Sequence, residues 1–117
     1  MALSIGNHHV LSPKANSTNP STWTGNDLHD STTAIVVCIT IYDTSSGDGV
    51  VSAVSYGALS LTSSTVYYDS LCDGHCSIWY GNAPSVASAQ TLTITHGGTV
   101  TDIAGSITEI FLFGAAS

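Results

Sequence analysis

Residues 32–43 read TTAIVVCITIYD, and this run decides the fold class. It is rich in β-branched side chains, which are stiff at χ1 and favour a pleated, extended backbone over a helix. Its apolar character is nearly continuous rather than alternating. The run therefore predicts a central strand buried on both faces.

The flanking sequence repeats the signal. SSGDG (45–49) is a turn cluster, VVSAVSYG (50–57) a strand and ALSLTSS (58–64) a shorter one. TVYYDSL (65–71) and CSIWYG (76–81) flank Asp73-Gly74 and predict a hairpin. NAPS (82–85) breaks the ladder, because Pro84 has no amide hydrogen to donate. AQTLTITHG (89–97) alternates cleanly, with Leu92 and Ile94 on one face and Thr91, Thr93 and Thr95 on the other. TVTDIAGSITEIFLFG (99–114) predicts one long strand, or two with a bulge near Gly105. No stretch sustains a helical period. The expected fold is all-β, an antiparallel β-sandwich of jelly-roll or immunoglobulin-like type.

The first thirty residues differ. They are polar and broken by Pro13 and Pro20. They predict an extended N-terminal arm (1–30) with short strands near 3–5 and 21–24, ahead of a sandwich domain (31–117). A sheet protein with one lysine lacks the usual charged guard on its edge strands. Its edges are therefore expected to be covered by a partner subunit.

Composition excludes several partners. The chain has 117 residues, 43% hydrophobic and only 8% charged, with a formal charge of −7. Lys14 is the single cation beside the histidines, and there is no arginine. Nucleic acid needs many Lys and Arg to displace counterions from phosphate, so it is not an expected partner. An anionic membrane surface is excluded on the same ground. The longest apolar run, Ala34 to Ile39, falls far short of the ~20 residues of a membrane helix. MALSIGNHHV lacks the basic start and apolar core of a secretory signal, so synthesis and use without that export route are expected.

The stretch with the densest reactive chemistry is Cys72-x-x-His75-Cys76. A structural zinc site needs four soft ligands. Completing one here would take Cys38, His8, His9, His29 or His96, and no second C-x-x-C or H-x-x-H pair exists. A hairpin would set Cys72 opposite Cys76, where a disulfide or two free thiols are the other readings. Asp43-Thr-Ser-Ser-Gly-Asp48 has oxygen donors but lacks the bidentate Glu of a calcium loop. No G-x-S-x-G elbow is present, and the sole glutamate, Glu109, lies in an apolar strand. Neither an enzyme nor a bound cofactor is expected. Trp23 and Trp79 are candidate subunit contacts, because interfaces are enriched in aromatics. Trp79 and Tyr80 must face opposite sides of a strand.

VVSAVSYGALSL, CSIWYGNAPS and TLTITHGGTVTDIAGSI together carry a likeness. The pattern is a V-x-x-V-x-Y-G strand, an I-W-Y strand ending in a proline turn, a T-L-T-I-T strand and a small A-G-x-I stretch. Residues 33 to 115 thus resemble a β-sandwich module common in bacteriophage structural proteins and related bacterial surface proteins. The arm and the cysteine pair at the hairpin tip depart from that pattern. The resemblance implies a virion structural protein, most simply a capsid decoration (cement) protein on the head of a tailed phage. Its partners would be the major capsid protein or other virion subunits, and a homo-oligomer, with three copies as the expected number. It would be made in the host cytoplasm and reside on the capsid surface. In that setting Ile5, Val10 and Leu11 would anchor the arm. A carbohydrate-binding or adhesive module on a tail fibre or cell surface is the alternative, as is a tail or neck subunit. Fold alone does not choose among them.

Overall fold

The structure is a computed structural model that describes residues 2–44, 47–69 and 73–113. Among the described residues nine strands follow one another: β1 (Ala2–Ser17), β2 (Ser21–Asn26), β3 (Thr32–Tyr42), β4 (Ala53–Tyr56), β5 (Leu59–Ser60), β6 (Thr62–Asp69), β7 (Gly74–Asn82), β8 (Gln90–Thr95) and β9 (Val100–Phe113). They form a five-stranded sheet in the order β1-β9-β3-β7-β6 and a four-stranded sheet in the order β2-β8-β4-β5. All pairings are antiparallel. The chain is an all-β antiparallel sandwich.

The core lies between the two inner faces. Ile35, Val37, Ile39 and Ile41 of β3 meet Leu92 and Ile94 of β8 and Val54 and Tyr56 of β4. Ile103 and Ile107 of β9 complete the five-stranded side. The alternation read in residues 89–97 is seen directly, since Leu92 and Ile94 are wholly buried. The 65–81 hairpin is present as β6 and β7, with Tyr68 opposite His75 and Asp69 opposite Gly74. The 99–114 segment is one strand over its described part. Its register shifts fall on its partners, on β1 between Ile5 and His8 and between Leu11 and Lys14, and on β3 between Thr32 and Ala34. Gly105 stays in register, and a Cβ there would meet the Cys38 carbonyl of neighbouring β3.

Two expectations are corrected. Residues 2–26 are not a free arm. β1 pairs with β9 from Ala2↔Phe113 to Ser17↔Val100, and β2 pairs with β8. The polar sequence concealed this because edge strands keep one face and one edge in solvent, so few positions need be apolar. Leu11 and Trp23 supply the inward contacts. The second correction concerns β3. It is the middle strand of its sheet, as read, but only one face is buried. Cys38, Thr40 and Tyr42 are exposed on the other.

Candidate functional site

The polar side chains inside the sandwich form separate clusters. Glu109 is wholly buried on β9. It accepts hydrogen bonds from the His29 amide (2.7 Å), the Thr32 hydroxyl (2.5 Å) and the His9 ring Nε2. Burial pushes its carboxyl up, but these donors together outweigh burial and hold it below the usual carboxylate range. The cluster ties β1, the 27–31 loop and β3 onto β9. Three donors from three segments thus converge on one carboxylate.

A second chain of bonds runs from Ser17 to Ser21 (2.6 Å) and from Ser21 to His96 Nε2 (2.8 Å). Ser21 and His96 are both buried, so this serine–histidine pair has no approach for a substrate. A third cluster lies at the end of the sandwich where β3 and β7 meet. His75 is buried, stacked on Tyr68, with Asp43 and Asp73 nearby. Burial lowers the His75 pKa, and the two carboxylates offset this only in part. Tyr56 is pushed up to about 12, first by burial and then by the charges of Asp27 and Glu109. Among the described residues, no group of three His, Cys, Asp or Glu side chains comes together as a metal site.

A groove of about 340 Å³ is lined by β1 and β2. Lys14 lies over the Trp23 ring at 5.3 Å, and the Trp23 indole N–H donates to the Ser12 carbonyl (2.9 Å). The aromatic face that a sugar would stack on is therefore already occupied.

The outer face of the five-stranded sheet is different in kind. Its central row runs Thr65, Ile78, Cys38, Ser106 and Val10 across the five strands. The next row holds Tyr80, Val36, Thr108 and His8, and Ile110 and Ile5 follow beyond it. On the other side of the centre are Tyr67, Cys76, Thr40 and Ala104. Only the last row is acidic, with Asp69 and Asp102 on either side of Tyr42. The rest of the face carries no carboxylate and no lysine among the described residues. Ile5 and Val10 are three-quarters exposed, and Ile78 and Tyr80 more than two-fifths.

This face ends at an open edge. β6 is the last strand of its sheet and is exposed along nearly its whole length. Val66 and Tyr67 are among its exposed side chains. The other edges are guarded. β1 carries Pro13, Lys14 and two register shifts, β2 has a shift and Gly25 at φ 74°, and β5 is two residues long. β6 has no proline or lysine and one shift near Ser63. A strand with these properties is a template for pairing with another chain.

The residues singled out from sequence divide accordingly. Ile5 and Val10 lie on the outer face. Leu11, Trp23 and Trp79 belong instead to the core, because the alternation at their positions turns them inward. Their neighbours Val10, Ile78 and Tyr80 present the surface. Trp79 and Tyr80 do face opposite sides. Cys38 and Cys76 carry free, exposed thiols, while Cys72, the other half of the possible disulfide, lies outside the described residues. The apolar outer face escaped the sequence reading, although the unbroken apolar run of β3 was its signal. No protein-family model, curated protein or solved structure matches the chain.

Proposed function

We propose that the chain is a structural protein of a virus particle, a capsid decoration (cement) protein seated on the head of a tailed phage. The observation that carries this reading is the unguarded β6 edge beside a sheet face whose charges are confined to its last row. The likeness of residues 33–115 to modules of phage structural proteins supports it as well. The mechanism is mechanical. A strand of the shell protein adds to β6 through main-chain hydrogen bonds, and Val66 and Tyr67 pack on its side chains. Many copies share the load, so each contact is modest. Co-sedimentation with shells of the major capsid protein tests this. Saturable binding is expected for the native chain. Tyr67→Lys, which sets a charge on the open edge, is expected to weaken it about tenfold or more without changing the melting temperature. Absence of binding by the native chain would overturn the reading.

Tyr42, Tyr67 and Tyr80 are exposed on one face, and this favours a second reading, a carbohydrate-binding or adhesive module. It requires glycan binding that Tyr80→Ala removes, so an array with no bound glycan would eliminate it. A tail or neck subunit would use the same surfaces, and co-sedimentation with tails in place of heads separates the two.

A further inference from the structure

We infer that the outer face of the five-stranded sheet is covered by the same face of a second copy of this chain, with the strands of the two copies running in opposite directions. The inference rests on reading this surface as a contact surface and names its occupant.

Three observations lead to it. β3 has the continuous apolar sequence of a strand covered on both sides, yet the described residues cover only one. The missing cover is thus written into the sequence of the central strand. The second is size. Five strands at about 4.8 Å spacing and about 27 Å from Ala34 to Tyr42 give a face of roughly 650 Å². Two such faces bury roughly 1,300 Å² in total, within the range of stable, specific interfaces. The third is charge. The chain carries −7, so two copies repel over most of their surface. The uncharged rows are where they can approach. A basic partner would find no counter-charge there.

Charge also selects the orientation. If the strands of the two copies ran the same way, Asp69 and Asp102 would lie against the same pair of the partner. Reversing the direction brings that acidic row to the opposite end, near Ile5 and Ile110. The two-fold axis then crosses the strands near the central row, and Cys38 of one copy faces Cys38 of the other. Stacked sheets lie about 10 Å apart, too far for a disulfide but within reach of a short bismaleimide.

Sedimentation velocity of the full chain from 5 to 200 µM tests the inference, with each copy contributing 12.0 kDa. A two-copy species is expected. Ile78→Lys is expected to weaken it about 100-fold or more, with an unchanged melting temperature in the dilute monomer. In a Cys72→Ser/Cys76→Ser background, a bismaleimide with an arm of about 10 Å should join Cys38 to Cys38. The same linker on a Cys38→Ser/Tyr42→Cys version of that background should join nothing. A monomer or a three-copy species at 200 µM overturns the inference, and so does a two-copy species indifferent to Ile78→Lys. A monomer that still binds shells through β6 overturns the second copy alone and leaves the assembly reading intact.

Discussion

Replacing Trp79 by alanine is expected to lower the unfolding free energy by about 4 kcal/mol, while Ile78→Ser, one residue away, changes the monomer by less than about 0.5 kcal/mol. The two side chains share a strand and point to opposite faces. Trp79 is 6% exposed and packs in the core cluster, so its removal loses buried apolar area and leaves a cavity. Ile78 is 41% exposed in the single chain, so little is lost there. The Trp79 indole N–H has no partner among the described residues. Trp79→Phe should therefore recover much of the loss, because no hydrogen bond is broken. Urea denaturation at low protein concentration measures all three variants. If Ile78→Ser cost as much as Trp79→Ala, the assignment of inner and outer faces would be reversed.

Glu109→Ala is expected to cost about 3 kcal/mol at neutral pH, because three donors lose their common acceptor inside the protein. The effect depends on pH. The folded Glu109 carboxyl titrates below its ordinary value, so in that window the folded chain binds fewer protons than the unfolded one. The stability it adds is complete above the unfolded carboxylate pKa and is lost as pH falls through the folded one. The gap between native chain and Glu109→Ala should therefore narrow as pH drops below about 4.5. Urea midpoints at pH 7, 5 and 3 give the comparison. A gap that stays constant or widens towards pH 3 would mean that the carboxylate is not what these donors stabilise.

Glu109 shows both the reach and the limit of the sequence. A lone glutamate in an apolar strand is conspicuous, but its partners His9, His29 and Thr32 come from other segments and share no local spacing with it. The middle position of β3, the β6–β7 hairpin and the faces of β8 were legible because apolar periodicity reports what one strand hides. The integration of β1 and β2 was not. Edge strands need few apolar positions, and Leu11 and Trp23 stand alone in polar surroundings. The outer face was half-legible. The run at 34–42 indicates a strand covered twice, and nothing in it says whether the second cover comes from the same chain.

The placement of β9 bears on how the sheet is made. β9 lies between β1 and β3, and it is the last of the nine described strands to be synthesised. Until then β1 has no neighbour in its sheet, β3 has one free edge, and a strand-wide gap separates them. Closure of the five-stranded sheet therefore waits for β9, is governed by contacts across nearly the whole described chain, and is expected in milliseconds to seconds. Before β9 pairs, the apolar run of β3 is open to solvent on an edge as well as a face. This makes the nascent chain a natural client for chaperones.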